Sequence, residues 1–105
     1  MFGLVIRCEL KSGASDEFDG LVAKLAPTIH MQPGGVVAFS CHRVSGRSNS
    51  RIMIELFTDH VAFLEFEQRA EVRSFDADRD SLNAEPPRVD FIEDTVGGEP
   101  FFKYR

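Results

Sequence analysis

The chain has 105 residues, with 12 Lys and Arg against 17 Asp and Glu, for a net charge of −5. Its 43% hydrophobic and 28% charged residues exclude a disordered or fibrous chain, and the length suits a single domain over 1–105. The acidic balance and scattered arginines (Arg43, Arg47, Arg51, Arg69, Arg73, Arg79) exclude the basic patch that nucleic acid requires.

No apolar run approaches the roughly 20 residues that cross a bilayer, so no membrane partner is expected. The opening MFGLVIRCELKSG meets a charge at Arg7 and lacks a signal-peptide core, which points to the cytoplasm. Cys8 and Cys41 are the only cysteines and have no zinc-like spacing, so both are expected to be reduced and no metal is expected.

FGLVIRCEL reads as a strand with Leu4, Ile6, Cys8 and Leu10 on one face and Val5, Arg7 and Glu9 on the other. KSGAS turns into a helix capped at Ser15, with Asp16 and Glu17 at its positive end. Phe18, Leu21, Val22, Leu25 and Ile29 form its apolar stripe, Pro27 predicts a kink or an early end, and QPGG stops it. His30, at the end of this helix, suits its negative pole. GVVAFSCHRV is a second strand, SGRSNS a polar turn and RIMIELF a third strand, with Ile52, Ile54 and Leu56 opposite Met53, Glu55 and Phe57. Asp59 caps a second helix beginning at a solvated His60 and carrying Phe63, Phe66 and Ala70. A further helical stretch through Val72, Phe75 and Leu82 ends at the NAEPP prolines. RVDFIED is a fourth strand, and a tail from residue 95 carries Phe101, Phe102 and Tyr104.

The order β-α-β-β-α-β, its second helical region broken in two, predicts an α+β ferredoxin-like fold with both helices on one face of an antiparallel sheet. GLVI, GVVAF and RIMI are apolar on both faces, whereas helices cover only one. A second copy is the simplest cover for the other, so a homodimer is expected.

With that order in place, KSGASDEFDGLV, QPGG opening a strand, RIMIELFTDHVAFLEFEQ and PPRVDFIED together resemble the antibiotic biosynthesis monooxygenase family. The resemblance runs from Leu4 to Asp94 and implies a dimeric α+β barrel. It also implies an oxygenase that works on a small aromatic, polyketide- or quinol-type compound and O2, without metal, flavin or haem. Two histidines common after the third strand of that family are Phe66 and Glu71 here. Met53, Phe57 and Phe63 stand where family oxygenases carry polar or aromatic groups. No histidine follows His60, so haem degradation is not expected.

Strand neighbours point to opposite faces, so Cys41 and His42 are not expected to form a nucleophile and base. His42 or Glu55 is the expected proton acceptor: the imidazole titrates near neutrality, and a carboxylate facing an apolar cavity is raised toward it. A salt bridge from Glu55 to Arg43 or Arg51 is the structural alternative. Phe57, Phe63, Phe66 and Phe75 suit both core and the walls of a flat pocket, Arg73 is a candidate to hold an anionic substrate, and the tail aromatics a candidate lid. Beside the monooxygenase, two other functions fit: a non-catalytic small-molecule-binding or dimerisation module, and an isomerase or decarboxylase.

Overall fold

From Leu4 onward, β1 (Phe2–Glu9) alternates between a buried and a half-buried face, and that alternation sets the architecture. The computed structural model describes residues 1–31 and 34–97. After β1 come α1 (Ser15–Met31), β2 (Val36–Val44), β3 (Arg47–Phe57), α2 (His60–Glu67), α3 (Ala70–Asp80) and β4 (Arg88–Ile92). The strands form one antiparallel sheet in the order β2-β3-β1-β4, the expected α+β ferredoxin-like arrangement with the second helical region in two pieces.

Leu4, Ile6 and Cys8 of β1 share a core with Phe39 of β2 and with Met53 and Phe57 of β3, under Phe18, Leu25 and Ile29 of α1. Phe66, Val72 and Phe75 close that core from α2 and α3. Asp59 Oδ1 caps α2 by accepting from the Ala62 N–H at 2.8 Å. The break after α2 turns the second helical region, so that α2 packs on β1, β2 and β3 while α3 packs mainly against α1.

Several boundaries differ from the sequence reading: Ser15 is the first residue of α1, Ala70 opens α3 and does not continue α2, and β4 stops at Ile92. Helix α1 runs to Met31 despite Pro27, because a late proline removes only one backbone donor. The SGRSNS segment is mostly strand: only Ser45 and Gly46 turn, with Gly46 at φ +78°, and Arg47–Ser50 extend β3. Helix α3 ends at Asp80, and Leu82 is buried from the turn beyond it, where its carbonyl accepts from the Lys11 N–H at 2.9 Å. Gln32, Pro33, Phe101, Phe102 and Tyr104 lie outside the described residues. No helix among the described residues is long and apolar enough to cross a membrane.

The face away from the helices carries Val5, Ile52, Ile54 and Leu56, all half-buried, and Ile92, which is exposed. The register aligns Val5 with Ile54 and Ile92 with Gly3. Gly3 is the tightest point of the sheet. A Cβ there meets the Glu55 carbonyl oxygen at 2.6 Å and Leu56 Cδ2 at 2.7 Å. Gly3→Ala is expected to lower the unfolding free energy by roughly 1–3 kcal/mol, the range for overpacking, read as an earlier urea midpoint. An unchanged midpoint shows that β1 and β3 separate freely.

Candidate functional site

The helix-facing side of β3 presents Arg51, Met53, Glu55 and Phe57, all buried. Arg51 is matched: its Nε–H and Nη2–H donate to the two carboxylate oxygens of Asp19 on α1 at 2.8 and 3.0 Å. Glu55 is not matched. It is 4% exposed, and its Oε1 has no hydrogen-bond partner, so neither Arg43 nor Arg51 forms the salt bridge that the sequence allowed.

Glu55 lies on the wall of a cavity of about 410 Å³ between the sheet and the helices. Leu4 and Ile6 of β1 and Phe39 of β2 form part of its floor, Phe63 and Phe66 of α2 and Phe75 of α3 its roof, and Val89 and Phe91 of β4 its outer edge. The rings pack in sequence, with centroids 6.4 Å apart for Phe39 and Phe66 and 6.2 Å for Phe63 and Phe91. Phe57, fully buried, backs this wall at 5.5 Å from Phe63 and 5.2 Å from Phe66 without lining the cavity.

Three further ionisable groups complete the polar end: Glu67, Asp76 and Arg79. Burial pushes the Glu55 carboxyl up to about 7, the charges of Glu67 and Asp76 add to the shift, and Arg79 partly offsets it. Glu67 and Asp76 are hydrogen-bonded to each other, and burial raises both above the usual carboxylate range. Their bond raises Glu67 further and holds Asp76 down. Arg79 Nη2 lies 3.5 Å from Asp76 Oδ1, and its guanidinium stands 5.6 Å from the Phe75 ring centroid.

The remaining sequence candidates fall elsewhere. His42 pairs with Ile52 on the far face of the sheet, exposed, with Nε2 2.8 Å from Ser40 Oγ, so it shares no cavity with Glu55. Cys41 faces the helices opposite Met53, and burial pushes its thiol up to about 11; the two neighbours form no dyad. Arg73 is exposed on α3 and does not line the cavity; Arg79 stands there instead. Asp76 and Arg79 continue the helical spacing of Val72 and Phe75, and Glu67 follows Phe63 by one turn, so polar residues inside an apolar stripe were the missed signal. A second hollow of about 500 Å³ holds Arg43, Arg47 and Arg51, but these already pair with Asp19 or Glu9. Among the described residues, no group of three or more His, Cys, Asp or Glu is placed to hold a metal ion.

No protein-family model and no curated protein matches the chain. Solved structures match its fold. One named as an antibiotic biosynthesis monooxygenase superposes with a TM-score of 0.82 at 14% identity, over 90% of this chain and 99% of that one. SnoaB, a cofactor-independent oxygenase from Streptomyces nogalater, gives 0.76 at 23% identity, over 92% and 97%. A conserved protein from Methanosarcina mazei gives 0.83 at 11%, over 90% and 92%. At these identities what is shared is the architecture, which matches the resemblance in the sequence.

The raised Glu55 carboxyl has a signature in stability. The folded state holds its proton where the unfolded chain has lost it, so stability falls as pH rises from the ordinary glutamate value toward 7 and then levels. Glu67 and Asp76 act in the same direction. Glu55→Gln is expected to remove part of that slope and to raise stability at pH 8 by up to about 3 kcal/mol, measured by urea unfolding across pH 5–8. A slope unchanged in the variant rules out an unpaired, buried Glu55.

Proposed function

We propose that the chain is an enzyme of the antibiotic biosynthesis monooxygenase type, using O2 without metal, flavin or haem. Its substrate is a small, flat, electron-rich compound of the quinol or polyketide class, held in the cavity that ends at Glu55. The observation that carries this reading is the unpaired Glu55 Oε1 in a cavity lined mainly by aliphatic and aromatic side chains. A carboxyl poised at about 7 accepts a phenolic or enolic proton near neutral pH. The resulting anion is electron-rich enough to pass an electron to O2. A ring CH2 becomes C=O, one oxygen atom is kept, and the other leaves as water with the two hydrogens. All electrons come from the substrate. Phe63, Phe66 and Phe75 exclude water and stack the ring, and Phe57 keeps Phe63 and Phe66 in place.

The base in this reading is Glu55 and not His42, which faces away from the cavity. The guanidinium at the cavity is Arg79 and not Arg73, and it lies against Asp76. A non-catalytic binding module remains the second reading, favoured by Phe66 and Glu71 standing where the family has histidines. The protein acts in the cytoplasm as a homodimer whose two sheets meet through Val5, Ile52, Ile54, Leu56 and Ile92; their apolar character supports this assembly.

Two measurements test the reading. With a quinol or anthrone substrate in an oxygen electrode, kcat/KM is expected to rise as pH rises through about 7. Glu55→Gln should lower it by about 10²- to 10⁴-fold, the usual contribution of a general base, and His42→Ala should leave it unchanged. Full uptake in Glu55→Gln excludes this base; product formed without O2 indicates isomerisation or decarboxylation, and ligand stabilisation without product indicates a binding module. By sedimentation at micromolar concentration the protein is expected to be a dimer and Ile54→Lys a monomer. A monomeric wild type removes the proposed interface.

A further inference from the structure

Glu55 shares its cavity with two other carboxyl groups, Glu67 and Asp76, and one guanidinium, Arg79, which also lies near Asp80. Glu67 approaches from α2, and Asp76 and Asp80 from α3. Arg79 lies between the last two, with Nη2 3.5 Å from Asp76 Oδ1 and Nε 3.9 Å from Asp80 Oδ1. From β1, β2, β4 and α1 the cavity receives only apolar side chains: Leu4, Ile6, Phe39, Val89, Phe91 and Leu25. Arg69 stands 5.7 Å from the Phe66 ring centroid but does not line the cavity.

The charges therefore do not balance. Three carboxyl groups line the cavity with one guanidinium, and Arg79 lies against Asp76 and not against Glu55. Ionised Glu55 has no counter-charge in contact, and its buried Oε1 has no donor. Leaving a carboxylate so placed costs several kcal/mol in general, unless something supplies a proton or a cation.

We infer that the compound held in this cavity carries a protonated amine on an aromatic frame, with the ammonium group seated against Glu55 Oε1. A phenol neutralises Glu55 only by giving up its proton, which leaves a phenolate in the same cavity, whereas an ammonium group matches the charge directly. The electron-rich faces of Phe63, Phe66 and Phe91 favour a cation in the same space. A carboxylate on the ligand meets Glu55, Glu67 and Asp76 with one arginine to offset them, and is rejected. The inference rests on the cavity being the substrate site, as proposed above, and leaves the reaction itself open.

Three probes that share a phenol ring isolate the charge: tyramine, 4-ethylphenol and 4-hydroxyphenylacetate, titrated calorimetrically into the full chain under nitrogen. Tyramine is expected to bind more tightly than 4-hydroxyphenylacetate by on the order of ten-fold or more at pH 8, with 4-ethylphenol between them. Because the ammonium group favours ionised Glu55, tyramine affinity should rise by about ten-fold from pH 6 to pH 8. Its binding at pH 7 should release about half a proton, measured in two buffers of different ionisation heat. Glu55→Gln should abolish both the preference and the proton release, and Glu67→Gln, a change nearer the rim, should weaken the preference. An acid that binds as tightly as the amine overturns the inference. So does a failure of tyramine to bind, or an amine preference that survives Glu55→Gln. If Glu55→Gln does not fold, a preference untouched by Glu67→Gln overturns it as well. Oxygen uptake with a neutral quinol alongside acid-preferring binding sinks only the amine; amine-preferring binding with no oxygen uptake on any substrate sinks only the oxygenase.

Discussion

The side chains of β3 alternate, and that period of two brings Arg51 and Glu55 to the same buried face, four residues apart. Both lie beneath the helices, where an unmatched charge is strongly unfavourable. Their fates differ. Arg51 meets a carboxylate from α1 in a two-pronged contact, which leaves it a structural group fastening α1 to the sheet. Glu55 meets hydrocarbon, aromatic rings and other carboxyls. One strand thus supplies an internal comparison: the same burial and backbone, with a partner in one case and none in the other. The partnered residue explains how α1 is held, and the unpartnered one gives the cavity beside it a polar end.

Such a residue is tolerated because its neighbours carry the packing. Met53 and Phe57 flank Glu55 on the same face and are completely buried, so the strand is anchored on both sides of the polar site. The carboxyl also has a way to lower its own penalty, since holding a proton near neutral pH makes it neutral. The cavity stays open for a different reason. Strand β4 is short and exposed along its whole length, so Val89 and Phe91 form a rim and not a seal. Meanwhile the break between α2 and α3 lets Glu67 and Asp76 converge from two helices.

Much of this was legible in the sequence because it depends on periodicity. The alternation in FGLVIRCEL, the stripe from Phe18 to Ile29 and the cap at Asp59 each express a local rule, and each is realised. The parity of RIMIELF put Met53, Glu55 and Phe57 together before any contact was known, and Glu55 was singled out for that reason. What failed was partner choice. Arg51 is bound by Asp19, a residue 32 positions earlier that no short-range pattern connects to it. Arg73 looked as available as Arg79, and only the orientation of α3 against the sheet separates an exposed guanidinium from one in the cavity. His42 illustrates a third limit. Its alternation with Cys41 was clear, but which of the two faces the helices depends on the pairing register with β3.

That register is set by irregularities at both ends of β2. A shift between Val36 and Ala38 and another between Arg43 and Val44 bracket an unbroken ladder from Ala38 to Arg43. The first shift absorbs one residue, so Val36 and Phe39 both share the face of Phe57 and Glu55 despite the odd spacing between them. Removing the shift would turn Phe39 and Cys41 outward and bring Ser40 and His42 under the helices. The imidazole would then stand opposite Arg51, with Ser40 opposite Met53 and Ala38 opposite Glu55. With the shift in place, imidazole and carboxyl are kept on opposite sides of the sheet. Which side chains of β2 face the helices is therefore a consequence of backbone pairing as well as of side-chain choice, set by one extra residue at the start of an edge strand.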